Sequence, residues 1–207
     1  MHFFKRQYKD VFLYIQRYIV KPFLFLTVLF PVVCIGAYAV VLHLPHHAIE
    51  SLLQGLSGVV QSKGLETAEG TLFAVKIFLN NLQATALIWI SGAIPFLFLP
   101  VFFLTVNAAV VGGTVGISHV LTGEAVGMIL LKYILPHGIW EIPALLMAGT
   151  LGTVLCLVLF KKLFGEKKEE PFWWHWKKSF KVFLCVILPL LIVAAVIEGV
   201  ILPKIIV

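Results

Sequence analysis

Charge is what this sequence has least of. Asp, Glu, Lys and Arg make up 13% of its 207 residues, about half the share carried by an ordinary soluble domain. That excludes a soluble globular domain with a normally charged surface. Cysteine is scarce as well. Cys34, Cys156 and Cys185 are scattered through apolar runs, an odd set that excludes a disulfide framework or zinc-finger spacing and reads as small buried hydrophobes. Catalytic signatures are missing too: the chain has no H-E-x-x-H pair, no G-x-S-x-G elbow and no phosphate-binding P-loop. No catalytic residue is therefore assigned and no cofactor is expected. Net charge is +6, but the cations gather at the ends of apolar segments and form no base-reading module, which excludes nucleic acid as a partner.

What the chain does have is hydrocarbon. It is 60% hydrophobic, with a mean hydropathy of +1.02. Apolar runs of roughly twenty residues recur, the length at which a helix crosses a bilayer. The pattern predicts an all-α polytopic membrane bundle of about five transmembrane helices, over residues 22–44, 72–90, 95–120, 139–164 and 182–202. Residues 1–21 read as an amphipathic cytoplasmic interface helix. Phe4, Tyr8, Val11, Phe12 and Ile15 fall at helical spacing, ringed by Lys5, Arg6, Lys9, Arg17 and Lys21, a pattern that lies on anionic lipid. Residues 22–207 then form a single transmembrane domain. Ala37-Tyr38-Ala39 has the form of a signal-cleavage site, but the leader and the apolar run are both too long for a signal peptide.

The connections carry their own expectations. Residues 45–71 are the longest polar stretch, and Leu52, Leu53 and Leu56 suggest a short amphipathic helix lying on the membrane. Residues 125–135 are too short to cross and return, so a re-entrant or interfacial helix is expected before the fourth span. Seven lysines with Trp173, Trp174 and Trp176 make residues 161–181 a membrane-boundary loop. The leader and this loop hold most of the cations, whereas 45–71 has only Lys63 and 119–138 only Lys132. Five crossings then put the N-terminus in the cytoplasm and the C-terminus outside.

Small residues recur at every fourth position on two spans: Ala108, Gly112 and Gly116, then Ala144, Ala148 and Gly152. Such stripes let helix backbones approach closely, within one chain or in a homo-oligomer, which the pattern leaves open.

The stretch Leu135-Pro136-His137-Gly138-Ile139-Trp140-Glu141-Ile142-Pro143 places a histidine and a glutamate inside a hydrophobic region. Ionisable residues at membrane depth are costly and mark functional sites by default. Pro136 and Gly138 are expected to break the helix there, with a new helix starting near Ile139 and Glu141 in its first turn. Lys76, Asn80 and Gln83 share one face of the second span, Asn107 lies in the third, and Glu198 is near the end of the fifth. Under the charge-derived topology, His137, Glu141, Glu198, Asn80, Asn107 and Lys76 converge on the outer half of the membrane as one intramembrane polar site. Lys76, Lys132 and His137 are the candidates to neutralise the two carboxylates. Whether the site takes a metal is undetermined, because one histidine, two glutamates and an asparagine are a thin ligand set.

The motif from Leu135 to Ala144, with Ala148-Gly149-Thr150-Leu151-Gly152 downstream, resembles the stage II sporulation protein M family. So do Phe78-Leu79-Asn80-Asn81 ahead of Gly92, Asn107 ahead of Gly112, and Glu198-Gly199-Val200-Ile201-Leu202-Pro203. Asn107-Ala108 departs from the Asn-Gly common in that family. The resemblance covers about residues 20–205. It implies a five-helix protein of the bacterial cytoplasmic membrane without established catalysis. It also implies a role as a scaffold for envelope or peptidoglycan-remodelling proteins, with the bilayer and those proteins as partners. Two other functions are carried alongside: a transport, export or circular-bacteriocin immunity component with an outward polar pocket, and an intramembrane metal-dependent enzyme.

Overall fold

A computed structural model describes residues 11–62, 70–95, 98–165 and 170–201. Of the expected leader helix, Phe4, Tyr8, Lys5, Arg6 and Lys9 lie outside the described residues. Its remainder is continuous with the first span, so residues 21 and 22 are not separated by a break. The helices are α1 (Val11–Leu42), α2 (His46–Ser62), α3 (Gly70–Ala93), α4 (Leu99–Thr122), α5 (Val126–Leu163) and α6 (Phe172–Ile201). All but α2 are long and apolar enough to cross a membrane. No strand occurs among the described residues.

α5 is the central helix. Two-thirds of its most apolar window is buried, against one-third or less for the other four long helices, and all four pack against it. Ala144, Ala148 and Leu151 are fully buried along it. At Gly152, a Cβ would come within 2.7 Å of the Ile88 carbonyl oxygen of α3. The second small-residue stripe, Ala108, Gly112 and Gly116 on α4, faces α1. A Cβ on Gly112 would stand 2.0 Å from the Cys34 carbonyl oxygen, and the Cys34 thiol donates to the Ala108 carbonyl at 3.1 Å. Away from this seam, Leu24, Phe25, Val28 and Val32 of α1 are exposed, the apolar face a membrane helix turns to lipid. α2 is held down by Ile49, which packs with Val41 and Ile117, while Leu52 and Leu53 remain exposed.

Pro136 and Gly138 do not break the fourth span. α5 runs without interruption for 38 residues, and the stretch expected to be a separate re-entrant or interfacial helix is its first turns. A π-helical turn at Leu130–Ile134 explains the difference. Proline lacks an N–H and its ring presses on the carbonyl four residues back; here that carbonyl belongs to Lys132, inside the wider turn. α6 repeats the device, with a π turn at Phe183–Ile187 two residues ahead of Pro189.

The boundary loop expected over 161–181 is partly helical: α6 begins at Phe172, ten residues before the expected start of the fifth span. Lys177 there is exposed and Lys178 and Lys181 are half-buried, but His175 and Ser179 are fully buried. Ser179 accepts a hydrogen bond from the Trp89 indole N–H at 3.0 Å, and Trp89 stacks on Trp176 at 4.8 Å. Tyr14 and Tyr18 of α1 meet Trp174 and His175 edge-on or tilted. Aromatic rings with a polar handle are suited to this level, where apolar and wet surroundings meet.

Candidate functional site

Continuity of α5 decides the geometry of the polar stretch. Because the helix is unbroken, His137 and Glu141 stand one turn apart on the same face. Glu198 comes from α6, on a π-helical turn at Ile197–Ile201. Gly199 lets that turn reach α3: a Cβ there would lie 2.5 Å from the Ala74 Cα. Each of His137, Glu141 and Glu198 offers a donor atom, and these atoms all lie within 4.8 Å of one another. The three side chains are half-buried. From α3, the Asn81 side chain stands beside the Glu141 carboxyl. The Asn80 amide in turn donates to Asn81 Oδ1 at 3.1 Å. Nδ1 of His137 is buried and has no hydrogen-bond partner among the described residues.

Not every residue expected at this site reaches it in the same way. Asn107 directs its amide to the Phe103 carbonyl of its own helix at 2.8 Å, a bond that satisfies the group where it stands. Asn80 acts through Asn81. Lys76 is half-buried on α3, one turn before Asn80. Lys132, considered as a neutralising cation, is committed elsewhere: its ammonium donates to the Glu124 carboxylate.

Asn81, named in the sequence as the neighbour of Asn80, is the residue left out of the expected site. The stripe Lys76, Asn80 and Gln83 selected the adjoining face, about 100° round the helix from the one that packs. A usable signal was the neighbouring row of Ala74, Ile77, Asn81, Thr85 and Ile88, which is the buried face; its small residues suit close helix contact.

Cavities flank the bundle among the described residues. One of about 590 Å³ lies between α1, α4 and α5 and is apolar, with Phe30, Ile35, Val115, Leu130 and Leu146 in its walls. Another, of about 580 Å³, is lined by Arg17, Lys21, Lys161 and Glu170 with Tyr18 and Leu157.

His137, Glu141 and Glu198 can donate to a proton, a cation or a polar ligand; the chemistry open to them is binding of positive charge. Five long apolar helices, with a carboxylate–imidazole cluster where α3, α5 and α6 meet, define the class: a polytopic α-helical membrane protein with polar groups among its spans. More specifically, the chain belongs to the stage II sporulation protein M family, whose model matches residues 24–203. It is similar to an uncharacterised protein of Methanocaldococcus jannaschii, 35% identical over 129 residues, which are 62% of this chain and 70% of that protein. No solved structure matches the chain.

Proposed function

We propose that this protein is a non-enzymatic scaffold of the bacterial cytoplasmic membrane that holds envelope or peptidoglycan-remodelling proteins in place. Family membership supports the role. The observation that favours a binding platform over a solute carrier is the apolar cavity between α1, α4 and α5. Its walls suit the side chains of a partner's membrane helix and offer little to a hydrated solute. Seams closed by backbone contact at Gly112 and Gly152 suit a rigid platform better than helices that must rock past each other. A photo-crosslinking residue at Ile35, on the cavity wall, should yield a discrete adduct with an envelope protein in living cells. Adducts with lipid alone would contradict the scaffold reading and favour a transport, export or immunity component.

In the orientation we propose, the N-terminus and the start of α6 are cytoplasmic and the C-terminus is external. Support comes from Arg17, Lys21 and Lys161 lining one cavity, which gathers cations from both basic regions at one end of the bundle. Positive charge marks the cytoplasmic side. At about 1.5 Å per residue, α5 is longer than a bilayer is thick, and its first turns then form an interfacial extension on the outer side. Cysteines at Gln54 and Glu170, both exposed, test the orientation. In intact cells an impermeant thiol reagent should label Gln54→Cys and spare Glu170→Cys. The reverse pattern would invert the topology.

A further inference from the structure

We propose that His137, Glu141 and Glu198 bind one divalent transition-metal ion of the zinc class, independently of whether the protein is a scaffold. Three features of the cluster point there.

The first is the donor set. One imidazole and two carboxylates are nitrogen and oxygen ligands of the kind zinc accepts, leaving a fourth position for water. Ligands of a tetrahedral ion bound at about 2.0–2.1 Å stand roughly 3.3–3.5 Å from one another. The observed spread, within 4.8 Å, needs only rotation of side chains on two helices already in contact. His137 and Glu141, one turn apart on α5, supply two ligands from one face without any backbone change.

The second feature is charge. A neutral imidazole and two carboxylates carry two negative charges, which a divalent ion balances, so the complete site is neutral inside the bundle. Buried charges persist when paired or when they coordinate metals. Lys132, five residues before His137, is held by Glu124.

The third feature is the surrounding shell. Metal-binding carboxylates are held in place by hydrogen bonds from neighbouring side chains. Asn81, held by the Asn80 amide, stands beside Glu141 and is placed to supply one. His137 Nδ1, buried and without a partner, is a polar atom whose desolvation goes uncompensated unless the ring is engaged. A bound ion uses one ring nitrogen directly and, by ordering the ring, fixes which nitrogen carries the proton.

The test uses the full chain without a histidine tag, purified in detergent, stripped with a chelator, loaded with Zn²⁺ alone and desalted. Elemental analysis should find about one zinc per chain, and Co²⁺ in its place should give the visible absorption of a low-coordinate site. Glu198→Gln, which preserves size and hydrogen-bonding capacity, should cut affinity at least tenfold and change the Co²⁺ spectrum. His137→Gln should remove stoichiometric binding. Circular dichroism and gel filtration confirm that each variant is folded. His46→Gln with His47→Gln, which deletes the histidine pair on α2, should leave stoichiometry unchanged. Wild-type protein that retains no zinc, or Glu198→Gln protein that binds with wild-type affinity and spectrum, would overturn the proposal. So would loss of zinc in the His46/His47 variant, which would place the ion at the surface.

Discussion

Gly112→Ala is expected to destabilise the protein severely, while Gly113→Ala, one residue away, is expected to be neutral or stabilising. In a helix interior, alanine is worth about 0.8–1.0 kcal/mol over glycine, so intrinsic preference favours both changes. Packing reverses the sign at one of them. A Cβ at Gly112 would sit 2.0 Å from the Cys34 carbonyl oxygen and 2.7 Å from its Cα, whereas a Cβ at Gly113 meets nothing within 4 Å. The obstructing atoms are backbone, so no rotamer change relieves the clash, and α1 must move away from α4. Overpacking that side chains can absorb costs about 1–3 kcal/mol, and a helix seam forced apart costs more. Thermal unfolding in detergent should show Gly112→Ala well below wild type or unable to form a monodisperse species, with Gly113→Ala level or higher. Equal stability of the two variants would remove the claim that this seam is closed by backbone contact.

How much of this was legible in the sequence depends on which physical constraint was being read. The five spans were, because hydrocarbon demands long uninterrupted apolar helices, although α1, α5 and α6 each begin earlier than composition suggests. The start of α6 was not: a stretch dense in lysine and tryptophan has the composition of a boundary loop. Only tertiary contact reveals that His175 and Ser179 turn inward while Lys177 stays exposed. The break expected at Pro136 and Gly138 failed for a different reason. Proline removes one hydrogen bond, and a π turn absorbs that loss locally without ending the helix, an accommodation that composition does not signal. Within the polar cluster, His137, Glu141 and Glu198 could be picked out because charge at membrane depth is rare, and the structure brings them together. Asn81 was left out in favour of the face bearing Asn80, since a shift of one residue turns a side chain by about 100°. The pairing of Lys132 with Glu124 depends on how the helix start at Val126 follows the turn at Gly123, and sequence spacing alone does not reveal it.

The second large effect is expected from Glu141→Gln combined with Glu198→Gln. The exchange keeps shape and hydrogen-bonding capacity beside Asn81. It removes two carboxylates that stand close together among membrane helices, a position that costs free energy unless a proton or cation lies between them. If the cluster only ties α3, α5 and α6 together, an amide serves as well as a carboxyl, because such bonds contribute about 0.6 kcal/mol on average between membrane helices. The double variant would then be functionally silent. If the cluster is a site, its stability and its function separate, since functional sites are commonly held at some expense to stability.

The direct measurement is complementation of a deletion strain by the double variant, paired with thermal unfolding of the same purified protein in chelator. A functional site predicts a protein that is inserted, folded and at least as stable as wild type under those conditions, yet unable to restore the phenotype. A Glu141→Gln, Glu198→Gln protein with full activity would contradict it.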